Sequence, residues 1–336
     1  MAPCAAVTRL TVIEFMRDDE AVWNLPRRLV DDLARGFPGV RFESPPDRAA
    51  AEALLGEADV VYGPLLRPEN IRLAHRLRWV HVSAAGVGSV LFPELVASDV
   101  VLTNGRGLHA VSMAEHALGL MLAFARKLHL ARDLQQRRHW GQVDLWTGEP
   151  PFGQLAGGTL ALVGLGAVGS AVAERAVALG LHVVAVRPHP AADPAPAHEQ
   201  WGLDRLHEAL ARADWVVLAA PHTAETRGLI GAAELARMKP TAVLVNLGRG
   251  ALVDEAALVE ALRAGRLAGA GLDVTRKEPL AADSPLWEMP NVVVTPHVSG
   301  LGPRYWERAV EQFAANLERF LAGRPLFNVV DKRAGY

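Results

Sequence analysis

Three side chains in the second half of the sequence have types suited to proton transfer beside a bound anion: Arg249 in "AVLVNLGRGALVDEAAL", Glu278 in "GLDVTRKEPL" and His297 in "VVVTPHVSG". An arginine fork matches a carboxylate. A histidine gives or takes a proton near neutral pH, and a carboxylate bonded to its other ring nitrogen fixes the tautomer and favours the charged form. These types serve hydride reduction of a 2-oxo acid, where negative charge grows on the carbonyl oxygen and calls for a proton donor and a fixed cation. Spacing alone leaves duller roles open. Pro-His follows a strand end at His189, His222 and His297 alike, so local pattern does not choose among them. Glu278 also reads as a solvated loop charge, and Arg249 as a helix-entry residue paired with Asp254.

A second constellation would bring the hydride. "TLALVGLGAVGSAVAERAVALG" places Gly164, Gly166 and Gly169 in GxGxxG spacing between a strand and a helix. A lone GxGxxG is weak; strand before, helix after and a further strand beyond make it a dinucleotide fingerprint. Gly164, Leu165, Gly166, Ala167, Val168 and Gly169 are accordingly read as cofactor-binding. Gly164 permits the tight turn, Gly166 lets the backbone approach a pyrophosphate, Gly169 brings helix onto strand, and the helix amides meet the phosphate charge. An NAD-selective site has an acid at the end of the second strand; here "VVAVRPHP" has Arg187. Arginine cannot accept bonds from ribose hydroxyls, but it pairs with a 2'-phosphate and stacks on adenine. NADP(H) is the favoured cofactor, with NAD(H) the alternative if Arg187 is only a solvated strand-end residue. No metal site is assigned.

These groups need a scaffold that brings strand ends together. Apolar runs of strand length alternate with helical patterns almost throughout, the mark of parallel sheets with crossover helices. "TVIEFM", "DVVYG", "LRWVHVSA" and "VVLTN" read as strands of a first α/β series, with "AVWNLPRRLVDDLARGF" a helix between them. One long amphipathic helix is expected from Ser112 to Leu130, then a loop or arm, "RDLQQRRHWGQVDLWTGEPPFG". The second series has strands "TLALVG", "HVVAVR", "WVVLAA", "AVLVNLG", "GAGLDV" and "NVVVTP", with a Pro/Ala-rich loop "RPHPAADPAPAHE" and a last helix closed by Gly323. If these strands are parallel, Arg249, Asp273, Glu278 and His297 converge on their carboxyl edge.

A chain of 336 residues suggests about two domains. The net charge of -2 offers no basic surplus for nucleic acid or an anionic membrane. No apolar run approaches the roughly 20 residues that cross a bilayer. The single cysteine, Cys4, cannot form an internal disulfide, and the N-terminus does not read as a signal peptide, so a reducing cytoplasm is expected.

Taken together, "LVGLGAVG", "LVNLGRGALVDEAAL", "GAGLDVTRKEPL", "VTPHVSG" and "VLTNGRGLHAVSMAEHALGLMLAFAR" closely resemble the D-2-hydroxyacid dehydrogenase family, which includes glyoxylate/hydroxypyruvate reductases and phosphoglycerate dehydrogenases. The resemblance implies an α/β fold of two Rossmann-like or flavodoxin-like domains. A dinucleotide domain, 104–300, is inserted in a discontinuous substrate domain made of 1–103 and the returning helix 301–336, with the active site in a cleft that closes on substrate. Arg249 would bind substrate, His297 would be the acid in reduction, Glu278 would orient His297, and Asp273 would lie near the nicotinamide carboxamide. Ala85, Gly86 and Val87 would offer backbone amides to the substrate carboxylate. The implied function is NAD(P)H-dependent interconversion of small 2-oxo and D-2-hydroxy acids. The alternative is a dinucleotide-sensing corepressor-like binding module of the same fold. A homodimer is implied, with Trp140 and Trp146 of the arm as anchors. Departures from the family pattern are Arg187 and His222, the latter set against the adenosine side or solvent, and the bulky pair Tyr305 and Trp306 after His297.

Overall fold

The computed structural model describes residues 9–17 and 21–335, so Cys4 lies outside the described residues. The chain divides into two compact units, Met1–Leu108 with Pro303–Tyr336, and His109–Gly302. These divisions stand a few residues from the expected 103/104 and 300/301.

The first unit holds five parallel strands, β1 (Leu10–Glu14), β2 (Val40–Glu43), β3 (Val60–Tyr62), β4 (Trp79–Val82) and β5 (Val101–Asn104), in the order β2-β1-β3-β4-β5. The apolar runs read from sequence become β1, β3, β4 and the far edge strand β5. The edge strand β2, "VRFE", was not among them because alternate charged residues hide its period from composition. The returning helix Tyr305–Leu321 belongs to this unit for a packing reason. Phe313 is wholly buried, its ring stacked 4.2 Å from Tyr62 and 5.1 Å from Trp79, and burial of such a ring contributes about 2–3 kcal/mol. Trp306 donates its indole N–H to the Val22 carbonyl at 3.2 Å, so it packs this helix within the unit. Beyond the helix, Val329 bridges Thr103, and the Lys332 ammonium donates to the carbonyls of Leu95, Ser98 and Val100.

The second unit holds β6 (Thr159–Val163), β7 (His182–Val186), β8 (Glu199–Trp201), β9 (Trp215–Leu218), β10 (Val243–Asn246), β11 (Gly269–Leu272) and β12 (Val292–Val294). All pairs are parallel and the order is β12-β11-β10-β9-β6-β7-β8. Strand order reverses between β6 and β9, the switch point at which ligands bind beyond the carboxyl ends. Edge strand β8, "EQW", is polar and short, which is why it read as the tail of the Pro/Ala-rich loop.

Two helical expectations need correction. The pattern from Ser112 to Leu130 is not one helix: Ala110–Ala125 ends and Leu128–Gln136 begins anew, with Lys127 between them in the left-handed region at φ 52°. Apolar periodicity continues across the break, so the pattern hides it. The Lys127 side chain explains the turn. It is buried, and its ammonium donates to the carbonyls of Leu145 and Gly148 at 2.6 Å each, capping the carbonyl end of the short helix Gln142–Thr147. About half of the expected loop or arm is helical, and Trp140 and Trp146 on it are 89% and 76% exposed. In the first unit, Pro26 delays the expected helix until Arg27–Gly36.

Candidate active site

The glycine loop follows β6 at the switch point. Gly164 has φ +96°, and a Cβ there would stand 2.8 Å from the backbone nitrogen of Ala220, so glycine is required where the loop passes the end of β9. A Cβ on Gly169 would sit 2.1 Å from the Gly164 carbonyl oxygen, fixing the close seat of helix Ala167–Ala178. By contrast a Cβ on Gly166 would meet no atom of the protein within 4 Å. The helix has no side-chain cap and no acid in its first turn, so its first amides lack intrahelical acceptors and face that open space. These features fit a dinucleotide pyrophosphate. The Leu165 side chain is buried in the core, leaving only its backbone for such a role, while Ala167 is exposed and Val168 half-buried.

Arg187 stands just past β7, its amide bonded to the Trp201 carbonyl at 2.9 Å, and it is half-buried. Among the described residues no carboxylate lies within 4 Å of its guanidinium. His222 is exposed beyond β9, on the same edge.

At the end of β10 the side chain of Asn246 shapes the backbone around Arg249: its amide donates to the Arg249 carbonyl at 3.0 Å and its oxygen accepts from Gly248 at 3.1 Å. Arg249 is half-buried and extended, and one guanidinium nitrogen donates to the Gly248 carbonyl at 2.7 Å. It does not pair with Asp254, which caps helix Glu255–Arg263 by accepting from Ala256 and Ala257. Gly250 is held against the chain leaving β11; a Cβ there would fall 1.9 Å from the Thr275 carbonyl oxygen. The amide of Thr275 in turn donates to Glu278 Oε1 at 3.2 Å, and Glu278 Oε2 accepts from His297 Nδ1 at 2.7 Å. The imidazole is half exposed and its residue is left-handed, at φ 54°. With Nδ1–H committed to a carboxylate, Nε2 is the ring atom left for exchange with a ligand.

Asp273 follows β11 directly. It is 1% exposed, and its carboxylate accepts from Thr295 Oγ1 at 2.6 Å and from the amides of Val298 and Ser299 at 3.0 Å each. Burial alone would raise its pKa, but the hydroxyl and amide donors of Ser299, Thr295 and Val298 outweigh it and hold the carboxyl below its ordinary value. Asp273 thus fixes the segment that carries His297. Two residues on helix Ala110–Ala125 and its cap join it, and nothing in the local sequence signals them: His116 reaches Thr295, and His109 reaches Gly300. Burial lowers the pKa of His109, the bond to Gly300 opposes this, and weaker electrostatic contributions from Arg249 and His297 act with burial.

In the first unit, Ala85 and Gly86 are exposed in the turn after β4, whereas the Val87 side chain is buried. Ala85 uses its carbonyl to accept from Asn104 at 2.7 Å. Among the described residues no cluster of His, Cys, Asp and Glu is arranged to hold a metal, and no helix is long and apolar enough to cross a membrane.

Comparison with known proteins adds to this geometry. The profile of the D-isomer specific 2-hydroxyacid dehydrogenase NAD binding domain matches residues 118–299. D-3-phosphoglycerate dehydrogenase of Mycobacterium leprae is 37% identical over 301 residues, 88% of this chain but 55% of that protein, so the chain spans about half the length of this relative. Glycerate dehydrogenase of Methylorubrum extorquens is 34% identical over 269 residues, covering 79% of this chain and 82% of its own. Among solved structures, an NADPH-dependent glyoxylate/hydroxypyruvate reductase of Sinorhizobium meliloti, in complex with NADP and sulfate, superposes with a TM-score of 0.78 at 28% identity, over 97% of this chain and 100% of its own.

Proposed function

The chain belongs to the D-isomer specific 2-hydroxyacid dehydrogenase family, and from that premise we propose that it reduces small 2-oxo acids, of the glyoxylate and hydroxypyruvate type, to D-2-hydroxy acids with NADPH preferred over NADH. The observation that carries the reading is the 2.7 Å bond from His297 Nδ1 to Glu278, set on the same sheet edge as Arg249 and the glycine loop.

Arg249 holds the substrate's carboxylate and polarises its carbonyl, because its fork has no internal carboxylate partner among the described residues. A nicotinamide cofactor, when bound, would supply the hydride. As charge grows on the carbonyl oxygen, the proton leaves Nε2 of the doubly protonated His297, and Glu278 keeps Nδ1–H in place throughout. In oxidation the neutral Nε2 takes the hydroxyl proton back. The first amides of helix Ala167–Ala178 would hold the cofactor's pyrophosphate. Arg187, with no acid in its place and no ion pair of its own among the described residues, supports a 2'-phosphate ligand. A homodimer anchored by the exposed Trp140 and Trp146, in a reducing cytoplasm, belongs to the same proposal.

The test is purified protein mixed with NADPH or NADH and a panel of 2-oxo acids, followed by cofactor absorbance. Turnover is expected with glyoxylate or hydroxypyruvate, and His297→Ala should lower it at least ~100-fold while leaving NADPH affinity within about twofold. Tight NADPH binding without turnover of any 2-oxo acid would overturn the enzyme reading in favour of a dinucleotide-sensing module.

A further inference from the structure

We propose that His109 and His116 are positioning residues for this reaction, a pair of imidazoles on one helix that clamps the segment carrying His297 from both ends. The proposal rests on the reading that His297 is the proton donor. Residues 295–300 follow β12 without regular structure, and His297 within them holds a left-handed backbone that costs a side-chain-bearing residue about 1–2 kcal/mol. Something must hold that conformation.

Helix Ala110–Ala125 does so from one side. His109 is its N-cap residue, and its backbone at φ −95°, ψ −2° lies in the right-handed helical region. Positions 109 and 116 are therefore two turns apart on one face, roughly 10 Å along the axis. His116 Nε2 lies 2.9 Å from Thr295 Oγ1, two residues before His297. His109 Nδ1 lies 2.9 Å from the Gly300 carbonyl, three residues after it.

The partners dictate the protons. Thr295 has one hydroxyl proton, and it is given to Asp273 at 2.6 Å, so the oxygen can only accept from His116, which must carry hydrogen on Nε2. A carbonyl only accepts, so His109 must carry hydrogen on Nδ1. The two histidines thus donate through different ring nitrogens. A Cβ on residue 300 would stand 3.1 Å from His109 Nδ1, so the imidazole rests against the glycine itself. Asp273 binds Thr295, Val298 and Ser299, and its carbonyl accepts the His297 amide at 2.9 Å. Between this carboxylate and the two imidazoles, the segment is tied on both sides of His297. A shift of ~1 Å in its Nε2 is enough to cost on the order of 100-fold in rate.

Isosteric amides provide the test, since Gln places a nitrogen where His has Nε2 and Asn where it has Nδ1. His116→Leu and His109→Ala remove the donors; His116→Gln and His109→Asn return them. With NADPH and glyoxylate or hydroxypyruvate, the first pair should lower kcat about 10- to 100-fold, with KM and NADPH affinity within about twofold, and the amides should recover most of it. Nitrogen-labelled histidine read by NMR without substrate should show the His297 Nδ1–H resonance displaced in the first pair and restored in the second. Wild-type kcat in His116→Leu and His109→Ala, or an unmoved His297 resonance in them, would overturn the clamp. So would amide variants no better than the apolar ones at equal thermal stability. If the wild-type protein turns over no 2-oxo acid, the reductase reading falls, and the resonance comparison still decides the clamp on its own.

Discussion

Lowering the pH from 8 to 5 should cost the first unit about 2 kcal/mol through a single residue, His81. The ring lies on β4 in register with Tyr62 and Thr103 on the flanking strands, fully buried and 5.6 Å from the Phe313 ring. Nδ1 is 2.8 Å from Thr103 Oγ1, while Nε2 is enclosed without a partner. Burial pushes the pKa down to about 3, so the folded chain keeps this imidazole neutral where an unfolded chain, with a value near 6.5, takes up a proton. Between those two values the unfolded state holds more protons, and stability falls as pH falls. At pH 5 the loss is RT ln(1 + 10^1.5), or ~2 kcal/mol, rising to ~4 kcal/mol at pH 3, where the folded state also begins to take up the proton. Every carboxylate also titrates in this range, so the quantity to measure is a difference. His81→Asn keeps an amide nitrogen toward Thr103 without a titratable group. Urea unfolding of both proteins at pH 8, 7, 6 and 5 should give parallel stabilities above pH 7 and a gap that closes by ~2 kcal/mol at pH 5, the other groups cancelling. Parallel curves down to pH 5 would refute the burial argument.

Three further outcomes follow from the site. Arg249→Lys should cut kcat/KM with 2-oxo acids by about 30-fold or more, because an ammonium cannot make two parallel bonds to a carboxylate; steady-state kinetics with unchanged efficiency would remove the anion-holding role. Arg187→Asp should swing the NADPH to NADH ratio of kcat/KM by at least ~10-fold toward NADH, and an unmoved ratio would dismiss its part in cofactor choice. Gly250→Ala should lower the melting temperature and kcat together, since the new methyl must displace the Thr275 backbone at a cost of about 1–3 kcal/mol and with it the amide that holds Glu278.

Much of the scaffold was legible because parallel strands announce themselves as apolar runs ending at one edge. "AVLVNLG", "GAGLDV" and "NVVVTP" could therefore be assigned strand ends before any coordinates. The edge strands β2 and β8 were not, since a strand with one neighbour has no need to be apolar throughout. The break at Lys127 was hidden for a different reason: what ends the helix is the reach of one ammonium to carbonyls 18 and 21 residues on. Among His189, His222 and His297 the sequence offered no choice, because the carboxylate that distinguishes His297 lies 19 residues away across a loop. His109 and His116 were invisible as site residues, being separated from their partners by 191 and 179 residues. The discontinuity of the first unit came only from the family resemblance. Its physical cause, Phe313 between Tyr62 and Trp79, is a three-body packing relation that periodicity does not encode.

The treatment of charge on this edge suits the anionic substrate proposed for it. A buried carboxylate such as Asp273 would ordinarily recruit a cation, since an unpaired buried charge is costly. Here it is kept ionised by a hydroxyl and amides, with His116 at 3.7 Å as the nearest group of opposite potential charge. Glu278 is taken up by His297 and the Thr275 amide. Both acids near the site are thus satisfied without Arg249, and no carboxylate among the described residues neutralises that guanidinium. Had Asp273 drawn Arg249 inward, the edge would hold no uncommitted cation and an incoming 2-oxo acid would find no fixed charge to orient it. The donors on residues 295–299 therefore do two things at once: they place His297, and they leave Arg249 to a ligand.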